Sequence, residues 1–157
     1  MRRFSLYVLA FLALSCSRME TPQMAHVANV APVPTPFPGP SNSLFDEINS
    51  LRRARNLPEL VKNDALTCAA QKHAWDIGPR NVCTNKGTDG STFIERVRAC
   101  QGVATSELVA CNYPDAKSAI VGWLQRADAG RILLHPNQVQ MGVGEVDRHY
   151  VVVFLGM

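Results

Sequence analysis

The sequence predicts an α+β domain built in layers, preceded by an export segment and a proline-rich tether. Two observations carry the fold class. Helical periodicity organises most of residues 41–134, and two apolar runs, QVQMGVGEV and HYVVVFLG, close the chain around a short turn at Asp147-Arg148. Runs of that length joined by a tight polar turn pair as antiparallel strands. Helices leading into such a pair bury their apolar stripes against its faces. The last run is apolar at nearly every position, so it should lie centrally, covered on both sides.

Each element has its own signal. SNSLFDEINSLRRARN (residues 41–56) opens with Ser41 and Asn42 as cap candidates. Leu44, Ile48 and Leu51 follow at helical spacing, and Arg52, Arg53 and Arg55 sit toward the C-terminal end, where cations suit the helix dipole. LPELVKN is a short link. NDALTCAAQKHAWDIG is a second helix, capped by Asn63, with Leu66, Ala70, His73 and Ile77 on one face and Gly78-Pro79 as its stop. STFIERVRAC is a short third helix on Phe93, Ile94 and Val97. VATSELVAC alternates as a strand does. YPDAKSAIVGWLQRADAGRILL (residues 113–134) reads as one fourth helix, with Ala119, Ile120, Trp123 and Leu124 facing inward.

The first residues, MRRFSLYVLAFLALSC, have the layout of a signal peptide: two arginines, a short apolar run, then small residues and a cysteine. The run is too short to span a bilayer as a mature helix. Its ending, ALSC, resembles a bacterial lipobox, with Ala13 where leucine is commoner. Residues 1–15 are thus expected to be removed and Cys16 to carry lipid, anchoring the protein to a membrane through buried acyl chains. Ser17 after the cysteine, by the same resemblance, favours the outer membrane of a Gram-negative host. Residues 16–40 hold six of the ten prolines and no helical period, which describes an extended tether. Residues 41–157 form the folded domain.

Charge excludes one class of partner. Without Arg2 and Arg3 the chain has 14 basic against 13 acidic residues, with no clustered basic face for nucleic acid. Beyond Cys16, four cysteines remain: Cys68, Cys83, Cys100 and Cys111. An even number in an exported domain implies two disulfides. Four cysteines allow three pairings; closeness in sequence favours Cys68–Cys83 with Cys100–Cys111. A metal site is the sharper reading of these cysteines, but no CxxC pair supports it.

One glycine-rich stretch asks for a chemical reading. GTDGS, within NKGTDGSTFIERV (residues 85–97), is not a Walker loop, because no GK[ST] follows. It is not an EF-hand loop, because the acid twelve residues in is absent. What it is instead is implied by the family resemblance that follows: a turn in which Gly87 and Gly90 adopt conformations other residues resist, with Asp89 or Ser91 capping the next helix.

Seven segments in this order resemble the CAP superfamily (cysteine-rich secretory proteins, antigen 5, pathogenesis-related 1) in its short bacterial form. They are NSLRRARNLPEL, LTCAAQKHAWDI, GTDGSTFIERV, SELVA, GWLQRADAGRILL, MGVGEV and HYVVVFLG. The resemblance covers essentially the whole folded domain. It implies a three-layer α-β-α sandwich around a mostly antiparallel sheet. It also implies a cleft of two histidines and one or two glutamates, which in some members bind a divalent metal. Carried onto this chain, the first histidine, in H-x-G, becomes Asn85. The acid before the strand is Glu107, next to Leu108 where asparagine is usual. An acid found three residues after the tryptophan in many members becomes Arg126, and the second histidine becomes Ala129. Asparagine is a poor zinc ligand and alanine none. The expectation is a degenerate site with no metal and no cofactor, in which Arg126 pairs with Glu107.

Other residues do not rebuild the site. His73 is expected to be a packed structural histidine, His135 to lie at the surface, His149 to begin the last strand, and His26 to fall in the tether. No G-x-S-x-G elbow is present. Trp123 reads as core; Trp75 could also stack on a ligand at a cleft. The functional expectation is a lipid-anchored, non-catalytic envelope module that binds a cell-wall component, a lipid or a protein. The competing reading is a hydrolase of envelope material acting through Glu107.

Overall fold

The computed structural model describes residues 42–157. The signal, lipobox and tether, with Cys16 and His26, fall outside that range. Five helices surround a four-stranded sheet in the order α1 (Asn42–Arg53), β1 (Val61–Lys62), α2 (Asp64–Ile77), α3 (Phe93–Ala99), β2 (Ser106–Cys111), α4 (Ala116–Gln125), α5 (Ala127–Leu133), β3 (Gln138–Val146) and β4 (His149–Gly156). The strand order is β1-β3-β4-β2. Only β1 runs parallel to its neighbour; β4 pairs antiparallel with both β3 and β2.

The closing hairpin follows the expectation. Val146 and His149 flank a two-residue turn, and Asp147 and Arg148 both have positive φ, 47° and 62°. That geometry matches the twist of the flanking strands. Residues Val151 to Phe154 of β4 are fully buried, as a central strand requires.

Strand alternation splits the core in two. Leu108, Ala110, Met141, Val143, Tyr150, Val152 and Phe154 face α1, α4 and α5. Val109, Val146, Val151 and Val153 face α2 and α3. On that second face β3 presents Gly142 and Gly144, with Val143 between them pointing to the first. A Cβ on Gly142 would lie 2.0 Å from the Thr67 nitrogen, and one on Gly144 2.4 Å from the Ala70 carbonyl. The two glycines are what let α2 lie directly on the strand.

Three details depart from the sequence reading. The link after α1 contains β1, with Asn49 holding both the N–H (2.9 Å) and the carbonyl (3.0 Å) of Leu60. Arg52 is not at a solvated helix end. It is fully buried and donates to the carbonyls of Pro58 (2.9 Å), Leu133 (3.0 Å) and His135 (3.2 Å), clamping α1 to the end of α5. The single fourth helix is broken at Arg126, whose φ and ψ of −99° and 116° are extended. Trp123 and Leu133 are both fully buried; on one continuous helix they would point about 80° apart.

Candidate functional site

The GTDGS turn closes on itself and is fastened from two sides. Gly87 N–H donates to the Ser91 carbonyl and Gly90 N–H to the Gly87 carbonyl, both at 2.8 Å. Gly90 has φ 88°, a conformation side chains resist. Asp89 accepts from Ser91 N–H at 2.8 Å, so it closes the turn rather than capping α3. The cap is Thr92, in a reciprocal capping box with Glu95. From α2, Asp76 accepts from Thr88 N–H (2.8 Å) and from its hydroxyl. Partial burial alone would raise the Asp76 carboxyl, but the Thr88 hydrogen bonds and the Arg80 charge hold it below the ordinary value.

From α3, Arg96 reaches back to both ends of the turn. It donates to the Ser91 carbonyl (2.9 Å) and to the Asn85 carbonyl (3.0 Å). It also donates to both oxygens of Glu107, at 2.9 and 2.8 Å. The Arg96 and Glu107 side chains are 9% and 1% exposed. Asn85 completes the group, its amide donating to Glu107 at 3.1 Å. Glu107 therefore accepts three hydrogen bonds, from a guanidinium that touches both oxygens and from a side-chain amide. A carboxylate so engaged is a poor ligand, because its lone pairs are committed to a buried cation.

His73 lies beside this group without joining it. It is fully buried. Its Nε2, 2.8 Å from the Thr84 carbonyl, carries the proton and donates there. Burial holds its pKa below the ordinary 6.5; the Glu107 charge opposes that and the Arg96 charge reinforces it. The structural role expected for this histidine is the one it has. His135 is exposed, and His149 is buried at the start of β4. Trp123 is core, its indole donating to the Val109 carbonyl at 3.1 Å. Trp75 is half-buried against the cluster beneath α2.

Arg126 does not pair with Glu107. Adjacent strand residues point to opposite faces: Glu107 points toward α2 and α3, whereas Leu108 points toward α4 and α5. Arg126 belongs to the α4–α5 side and donates to the Val109 carbonyl at 3.3 Å. With Ala129, Leu108 and Ile132 it lines a hollow of about 310 Å³. Of the four carried-over positions, Asn85 and Glu107 are thus in contact, and Arg126 and Ala129 share a separate hollow.

The disulfides are Cys68–Cys100 and Cys83–Cys111, with Cα separations of 6.0 and 5.8 Å. The sequence-near pairing is wrong for a geometric reason. From Cys68 the chain runs on along α2, rising about 13 Å before it reaches the loop of Cys83. Cys100 and Cys111 are likewise held apart by the length of β2, roughly 20 Å. The observed bonds tie α2 to α3 and the loop before Asn85 to the end of β2, bracketing the Arg96–Glu107 pair.

The family model described as the cysteine-rich secretory protein family, CAP, matches residues 45–152. The chain belongs to that family. Its CAP domain is similar to an extracellular SCP-domain protein of Bacillus anthracis, at 25% identity and a TM-score of 0.67, covering 73% of this chain and 39% of the other. The match therefore spans about two fifths of the Bacillus protein. An outer surface protein of Borrelia burgdorferi matches at 23% identity and a TM-score of 0.62, over 71% of this chain and 87% of the other. A cysteine-rich secretory protein of Staphylococcus aureus matches at 19% and 0.58, over 73% and 37%. No curated protein matches significantly.

The metal that some CAP domains bind does not fit these residues. Among the described residues, no three His, Cys, Asp or Glu side chains converge as ligands would. The retained acid is held by an arginine, and His73 beside it offers one unpartnered nitrogen, Nδ1, with no second imidazole or free carboxylate converging on it among the described residues. Arg96 is what the sequence reading missed. Its signal was an arginine at position 96, between Phe93 and Val97 on the inward face of a short helix.

Proposed function

We propose that this protein is an envelope-anchored CAP-domain lipoprotein that binds rather than cleaves, its ligand being a cell-envelope component, a lipid or a protein. The observation that carries the reading is the Arg96–Glu107 pair. The acid retained from the family's cleft is engaged at both oxygens and is 1% exposed. It anchors Arg96, which in turn braces the turn at the Asn85 and Ser91 carbonyls. The disulfides fit an oxidising compartment outside the cytoplasm. The Bacillus and Borrelia relatives are described as an extracellular and an outer surface protein, which agrees with export.

Incubating the intact protein with labelled peptidoglycan and with envelope vesicles tests the reading. Co-sedimentation without release of soluble fragments is the expected result. Fragment release that disappears in Glu107→Gln would establish the hydrolase instead.

A further inference from the structure

A different hollow, of about 700 Å³, opens between α5, the start of β2 and the end of β4. That volume suits a small ligand, and its polar groups have a common sense. His135 Nδ1 accepts from Asn137 N–H at 3.2 Å. In the neutral ring the proton therefore sits on Nε2, which is left as a donor. Ser106 Oγ accepts from the buried amide of Gln138 at 3.1 Å, so its own hydrogen is free to donate. Arg131 brings a guanidinium whose partner is Asp128, three residues back on the same helix and lining the same hollow, with side chains 78% and 88% exposed. An exposed pair of that kind is weak and easily exchanged.

The surroundings add positive charge. Arg52, directly behind, donates to the His135 carbonyl from a fully buried position. It has no carboxylate partner among the described residues. An adjoining hollow of about 630 Å³ shares Arg131 and His135, adds Arg55, and is lined by no acid. Ser106, His135 and Arg131 thus bring three donors to one hollow beside an apolar patch at Ile132, with Asp128 as its one acidic side chain; once Arg131 exchanges Asp128 for a ligand, they are complementary to an acceptor-rich anion.

We propose that this hollow binds a small molecule bearing a carboxylate or a phosphate monoester, the anion seated on Arg131, His135 and Ser106. The proposal rests on the reading of the protein as a binding module and gives it a site away from the Arg96–Glu107 strut. The two anion types are separated by their source: a carboxylated amino sugar or a glycerol phosphate.

Nitrogen–proton NMR spectra of the intact chain, titrated with matched pairs, test it. N-acetylmuramate is set against N-acetylglucosamine, and glycerol 3-phosphate against glycerol. The expected result is a saturable shift of the His135 ring and of the Ser106 and Arg131 signals with at least one anion, whichever it is, and none with its neutral partner. Arg131→Gln should weaken that anion about tenfold by removing one charge-assisted contact. Asp128→Asn, which frees Arg131, should strengthen it. No saturable shift with either anion up to about 20 mM, in the range where weak non-covalent binding is still measurable, overturns the proposal. So does an affinity that Arg131→Gln leaves unchanged. If envelope material still co-sediments with Arg131→Gln at full strength, the anion site fails and the binding-module reading stands. Hydrolysis dependent on Glu107 would fail the reading itself.

Discussion

Replacing Arg96 by methionine removes the cation from a site where its partner, Glu107, is 1% exposed. The isolated carboxylate cannot recover water without opening the core, so the loss is that of an orphaned buried charge, about 3–5 kcal/mol. The same change also releases the carbonyls of Asn85 and Ser91, which loosens both ends of the turn. Glu107→Gln keeps one acceptor oxygen and should cost less, about 1–3 kcal/mol. The double variant Arg96→Met with Glu107→Gln should then be more stable than the sum of the single losses implies, because no unpaired charge remains. Urea unfolding of the oxidised protein supplies all four corners of the cycle. Amide exchange at Gly87 and Ser91 supplies a local readout, with protection falling in Arg96→Met. A cost below about 1 kcal/mol for Arg96→Met, as for an exposed pair, together with purely additive losses, would refute the reasoning and leave Glu107 free for chemistry.

Other expectations follow from the same geometry. Peptide mapping of the unreduced protein should recover Cys68 joined to Cys100 and Cys83 joined to Cys111, and replacing Cys83 and Cys111 together by serine should cost about 2–4 kcal/mol in thermal or urea unfolding. His73 is held neutral by burial, its pKa below the ordinary 6.5. Below that pH the unfolded chain binds a proton the folded chain refuses, so stability should fall as pH drops from 6.5 toward the folded value and be complete above 6.5. In His73→Gln that part of the pH slope should vanish. Labelled palmitate fed to producing cells should enter the wild-type protein and not Cys16→Ser.

Much of the fold was legible because local and long-range signals agreed. The second helix begins at a real cap, Asn63, whose side chain accepts from Leu66 N–H, and the apolar face at Leu66, Ala70 and Ile77 is the one buried. The two closing strands were bounded by a turn whose residues, Asp147 and Arg148, adopt the conformation such turns need. The misses concern features that periodicity does not encode. The break at Arg126 occurs without glycine or proline, in response to where Trp123 and Leu133 must pack. β1 is two residues long and too short to show a pattern. Disulfide pairing depends on how α2, α3 and β2 cross in space. At the site, the emptied histidine positions Asn85 and Ala129 were readable as residue types. The partner of Glu107 was not, because a buried arginine is an uncommon residue and the choice between Arg96 and Arg126 turns on which face of β2 each meets.

The Arg96–Glu107 ion pair commits the one carboxylate retained at the positions where the family resemblance implies a metal cleft. Calorimetric titration of the intact protein with zinc tests it most directly. The wild type is expected to give no heat of binding beyond dilution, because Glu107 is held by Arg96 and Asn85 and the single unpartnered imidazole nitrogen beside it, His73 Nδ1, cannot hold zinc alone. Stoichiometric zinc binding that is lost in Glu107→Gln would contradict this.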